Sequence, residues 1–133
     1  MSIPLDTHVW IWWLTPNSPL KPKDRVALDM AVQRQPLALS AISLWETQIL
    51  YSKRRLNLPL PFADWLMRAT DARMISVLPL DRDVVIALDS LPASFHGDPA
   101  DRIIVATARA HALPLATQNG AIRRTRLVTL WKP

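Results

Sequence analysis

Pro36-Leu-Ala-Leu-Ser-Ala-Ile-Ser-Leu-Trp-Glu46 sets an apolar run of strand length directly before a helical pattern, and this arrangement recurs along the chain. Pro36 to Leu39 reads as a buried strand, and Ser43 to Arg55 as the helix that follows. Further short apolar runs lie at Ile3 to Asp6, Ile75 to Leu78, Leu113 to Ala116 and Leu127 to Trp131. Helical periodicity covers Val9 to Leu14, Lys23 to Arg34, Pro61 to Thr70, Asp81 to Ser90 and Pro99 to His111, with a short turn at Asn119 to Arg124. Strands that alternate with helices predict an α/β fold of three layers, α/β/α, around a central parallel sheet of four to five strands. Pro4 disturbs the pattern, because proline cannot donate to a sheet ladder.

The chain of 133 residues, half of them hydrophobic, suffices for one domain spanning 1–133 with a single core. It has no cysteine, so disulfide frameworks and thiolate metal sites are excluded, and a metal would need oxygen or imidazole ligands. Only Gly97 and Gly120 occur, which argues against a glycine-rich phosphate loop. The prolines fall mostly between periodic segments, as punctuation. No basic leader or membrane-length apolar run is present, so the expected location is the cytoplasm, with no membrane contact. A net charge of +5 favours a polyanionic partner.

In an open parallel sheet, ligands bind beyond the carboxyl ends of the strands. Polar residues directly after strands are therefore the ones to weigh. Asp6 ends the first apolar run, where it could also serve as a helix N-cap. Glu46, the single glutamate among eleven acids, sits in an otherwise apolar segment. Ser43 and Glu46 also have the spacing of a capping box. In His96-Gly-Asp-Pro-Ala-Asp-Arg102, Asp98 is suited to capping a helix that begins at Pro99, and Asp101 falls in the first turn, where the helix dipole favours negative charge. Each acid thus has a structural explanation of its own. These explanations nevertheless all place carboxylates at helix N-termini at one edge of the sheet, where they would repel one another unless a hard cation such as Mg²⁺ or Mn²⁺ joined them.

Three segments carry a family resemblance: Leu-Asp-Thr-His-Val with Trp12 and Trp13, Ser-Ala-Ile-Ser-Leu-Trp-Glu, and His-Gly-Asp-Pro-Ala-Asp-Arg followed by Ile-Ile-Val-Ala-Thr-Ala. In order and spacing the chain resembles the PIN-domain ribonucleases, and within them the VapC-type toxins of prokaryotic toxin–antitoxin pairs. The resemblance implies a PIN-like domain and a Mg²⁺- or Mn²⁺-dependent endoribonuclease. Asp6, Glu46 and Asp101 would be its metal-binding acids, Asp98 an accessory acid and Thr7 a hydroxyl beside the first acid. Asn119 stands where the family commonly has a fourth acid, with Thr117 two residues before it. Leu50 and Arg54 depart from the lysine and glycine frequent in relatives. The implied partners are an RNA substrate and a VapB-type antitoxin.

The implied reaction is in-line attack of a metal-activated water on a phosphodiester. His8, His96 and His111 are isolated and read as capping or partly exposed imidazoles. Arg54, Arg55, Arg123 and Arg124 are the basic residues placed to follow an RNA backbone, although each is equally ordinary solvated surface. The tryptophans read mainly as core, and their density in Trp10 to Trp13 and Ser43 to Tyr51 suggests an apolar groove for an antitoxin helix and a homodimer contact. One competing class is a catalytically weakened PIN-like module that binds RNA or protein. Others are a metal-dependent phosphatase, which would want an acid at the position of His8, and a flap-cutting DNA nuclease, for which no inserted arch is present.

Overall fold

The computed structural model describes residues 2–95 and 97–133. Three parallel strands, β1 (Pro4–Leu5), β2 (Leu37–Ser40) and β3 (Ile75–Leu78), form a sheet in that spatial order. The sheet continues on the far side of β1 as isolated parallel bridges, Leu5 to Ala116 and Leu115 to Leu130. The fourth and fifth expected strands are therefore present as single bridges rather than extended ladders. Pro4 causes no break. Its carbonyl accepts from Ala116 N at 2.9 Å, while its missing donor would face Pro114, before that neighbouring segment begins to pair.

Seven helices occur among the described residues: α1 (Thr7–Trp13), α2 (Pro22–Arg34), α3 (Ala41–Ser52), α4 (Phe62–Ala69), α5 (Arg82–Asp89), α6 (Pro99–Ala110) and α7 (Gly120–Arg123). Alternation along the strands divides the core between the two faces of the sheet. Leu5, Leu37, Leu39 and Ile75 pack with Val9, Trp10, Leu28 and Trp65 on the side of α1, α2 and α4. Leu115 packs with Val84, Ile104, Val105 and Ile122 on the side of α5, α6 and α7. The result is the expected three-layer arrangement. Among the described residues, no helix is long and apolar enough to cross a membrane.

The helix starts position the site. The second strand runs to Ser40, one residue further than the sequence pattern indicates, and Ser40 caps α3 by accepting from Ile42 N at 3.3 Å. This overturns the capping-box reading of Ser43 and Glu46. Ser43 instead lies inside the first turn and Glu46 one turn later on the same face, a spacing that aligns both with the sheet edge.

Candidate metal centre

Asp6 follows β1 and is the N-cap of α1, with Oδ1 accepting from Thr7 N at 2.8 Å. Its Oδ2 accepts from the Thr117 hydroxyl at 2.7 Å, which joins the end of β1 to the segment after Ala116. Asp98 caps α6 by accepting from Asp101 N at 3.0 Å. Its structural role is thus the one its spacing suggests, and that role turns both acids of the motif toward the same edge.

One ligand oxygen each from Glu46, Asp98 and Asp101 lies within 4.8 Å of the others. Asp6 falls outside this set, so the closest trio differs from the expected grouping of Asp6, Glu46 and Asp101, with Asp98 taking the place of Asp6. Asp6 is 5% exposed and both of its oxygens already accept hydrogen bonds. It still belongs to the same electrostatic unit. Burial pushes its carboxyl above the usual range and the charge of Asp101 adds to this, while Thr117, the Thr7 backbone and His8 oppose it. Burial likewise raises Glu46, with Asp6 and Asp101 reinforcing the shift and the Thr7 hydroxyl and His8 opposing it.

The fit to a cation rests on Glu46. Its Oε1 is buried with no hydrogen-bond partner, although a buried polar atom normally has one. An unpartnered carboxylate oxygen beside two further carboxylates is the donor set that a hard divalent ion neutralises. Asn119 stands where the resemblance places a fourth acid, and its carbonyl oxygen is engaged by the backbone. That oxygen caps α7 by accepting from Ala121 N and Ile122 N, and Nδ2 donates to Asp101 Oδ2 at 3.1 Å. Asn119 therefore orients the Asp101 carboxylate. Of the acidic loop motif, His96 lies outside the described residues.

This arrangement can be set beside known proteins. The PIN-domain family matches the chain over residues 3–127. The protein belongs to that family. Ribonuclease VapC22 of Mycobacterium tuberculosis is 35% identical to this PIN domain over 134 residues, covering 98% of each chain. VapBC2 of Rickettsia felis, solved bound to a fragment of its promoter DNA, matches with a TM-score of 0.75 at 17% identity, over 98% of both chains. FitAcB of Neisseria gonorrhoeae matches with a TM-score of 0.65 at 24% identity, covering 98% of this chain and 96% of the other. These structural likenesses support the fold of the PIN domain, independently of any activity.

Sequence reasoning missed Ser43 as part of the PIN-domain centre, because the capping-box pattern explained it away. Its hydroxyl is fully buried and shares a 2.8 Å hydrogen bond with Thr7 Oγ1. Ser43 thereby ties α3, which carries Glu46, to α1 beside Asp6. Thr7→Val or Ser43→Ala alone strands one buried hydroxyl and is expected to cost about 1–3 kcal/mol, measured by urea unfolding. The double variant should lose less than the sum of the two, since neither orphan remains.

The basic residues are unequal. Arg123 donates to Thr117 O at 2.9 Å and is fixed beside the Asp6 pair. Arg54 and Arg55 are exposed just beyond α3, and Arg124 is exposed after α7. Arg102 donates to Phe95 O at 3.1 Å and lies over the Phe95 ring, so it is held by the residue that precedes the acidic motif.

Proposed function

We propose that this PIN domain is an endoribonuclease dependent on Mg²⁺ or Mn²⁺ and the toxin of a toxin–antitoxin pair, with the ion held by Glu46, Asp98 and Asp101. The observation that carries the reading is the buried, unpartnered Glu46 Oε1 within the cluster of three carboxylates. A bound ion would supply a water of lowered pKa and positive charge for the phosphoryl oxygens. The chain's own residues set the geometry. Asn119 Nδ2 holds the orientation of Asp101, Asp98 fixes the first turn of α6, and Ser43 and Thr7 hold α3 against α1. Asp6, restrained by Thr117, would add negative charge to the centre and could serve as a further ligand.

The likeness to ribonuclease VapC22 supports RNA as substrate, and the fold shared with VapBC2 is consistent with a VapB-type antitoxin as partner. Trp45, Tyr51 and Met67 are exposed on α3 and α4 and suit an amphipathic antitoxin helix or a second copy of the chain. Incubating the purified chain with total cellular RNA and Mn²⁺ is expected to yield discrete fragments, and EDTA should abolish them. Uncut RNA from folded protein saturated with Mn²⁺ would contradict the ribonuclease reading. The alternative of a PIN-like binding module draws on Asn119, which brings no fourth charge to the centre. It would be favoured by RNA retention without cleavage in the same assay.

A further inference from the structure

A second feature lies at the same edge of the sheet. Beyond β1, where the chain leaves Ala116 and again after Leu130, a cavity of about 390 Å³ opens between the start of α2 and the C-terminal segment. This falls within the roughly 300–1,000 Å³ typical of small-ligand pockets. Lys21, Lys23, Arg123 and Lys132 contribute four cations to its lining. Against them stands one acid, Asp24, which is 6% exposed and has a long 3.5 Å contact from Gln118 Nε2. Trp131 supplies an aromatic wall.

The cavity is joined to the metal centre through Thr117, which lines it while its hydroxyl donates to Asp6 Oδ2. Arg123, also in the lining, holds the Thr117 carbonyl. A ligand here would therefore sit one residue away from the first acid, on the side of Asp6 opposite α3. The lining joins three lysines, an aromatic surface and a buried acceptor beside an amide. This is the chemistry of a nucleotide, in which the cations take the phosphate and Asp24 accepts from an amino or imino group of the base. A purely anionic ligand would leave Asp24 repelled.

We infer that this cavity binds one nucleotide of the RNA strand next to the scissile phosphodiester, with Lys21, Lys23 and Lys132 on its phosphate and Asp24 on its base. The place of that nucleotide in the substrate rests on the ribonuclease reading, but its binding does not need cleavage. The test uses the full chain in EDTA, titrated with 5′-GMP, 5′-CMP and 5′-UMP and followed by NMR. Shifts are expected at Gln118, Asp24 and the Trp131 indole, strongest for GMP, whose base offers two adjacent donors to a carboxylate. Lys21→Ala with Lys23→Ala, both exposed and hence compatible with folding, should weaken binding at least about ten-fold while leaving Mn²⁺ affinity unchanged. Asp24→Asn should narrow the difference between GMP and UMP.

Shifts confined to other surfaces, or binding indifferent to the lysine pair, would overturn the subsite. So would equal shifts from inorganic phosphate alone, since they would mark an anion site with no nucleotide recognition. Because nucleotide binding is read in EDTA, an inactive metal centre would sink the ribonuclease reading and leave the nucleotide result standing.

Discussion

Glu46→Gln is expected to reduce RNA cleavage at least about a thousand-fold, on the order of 4 kcal/mol of barrier, and to weaken Mn²⁺ binding sharply. Glutamine retains the length and one carbonyl oxygen but removes a charge, and affinity for hard cations follows the charge count of the ligands. A change that damages activity usually raises the question of folding. Here the geometry predicts the opposite effect on stability. In the absence of metal, wild-type Glu46 is a carboxyl raised by burial and by the charges of Asp6 and Asp101, with one oxygen unpartnered. The variant should therefore be at least as stable as wild type in EDTA, and its urea midpoint should not fall. A variant that lost both activity and a large part of its stability would show that Glu46 is a structural residue of α3.

The second large effect is a coupling of stability to pH and metal. Asp6 and Glu46 are both raised above their ordinary values of 3.8 and 4.5 by burial. Between the unfolded and folded values the native chain keeps protons that the unfolded chain has released, so the unfolding free energy falls as pH rises through that window. The stabilising contribution is complete below the unfolded values and is lost as pH passes the raised ones. In EDTA, stability should thus decline as pH rises above the ordinary carboxyl values through the raised ones, and less steeply in Glu46→Gln. A divalent ion competes with those protons, so the gain on adding Mn²⁺ should grow with pH. At one hundred times the dissociation constant it should reach about 2.7 kcal/mol. Urea midpoints measured across pH, with and without Mn²⁺, test this. Parallel curves for wild type and variant would remove Glu46 from the account.

The alternation of strands and helices was readable from the apolar runs because β1 and β2, buried throughout, had to be nearly continuous in apolar residues. Asp98 was readable as well, since Asp followed by Pro at the start of a periodic helix has few other structural uses. The chemistry at α3 was harder. Ser40 and Ser43 both precede apolar helix residues, and local pattern cannot say which hydroxyl caps the helix when the strand length is uncertain by one residue. Once β2 reaches Ser40, Ser43 is displaced into the interior and becomes available to Thr7. Such a contact across 36 residues leaves no local signal. Asn119 could be singled out by its position after the strand, but its hydrogen bonds depend on which end of the amide faces the cluster. That orientation is set by the two backbone donors of α7. Asp6, outside the closest trio, is held by Thr117 through a bond that spans 111 residues and likewise leaves no local signal.

The most direct test of the account is the rate of RNA cleavage as a function of Mn²⁺ concentration for wild type and Asp101→Asn, with metal binding followed in the same samples. Asp101 is the acid that meets Glu46 and Asp98 in the cluster, receives the Asn119 amide and raises both Asp6 and Glu46. The account predicts saturable, metal-dependent cleavage by wild type, with both cleavage and high-affinity Mn²⁺ binding lost in a variant that remains folded. Cleavage by Asp101→Asn at the wild-type rate and the same Mn²⁺ concentration would place the metal, and the chemistry, elsewhere.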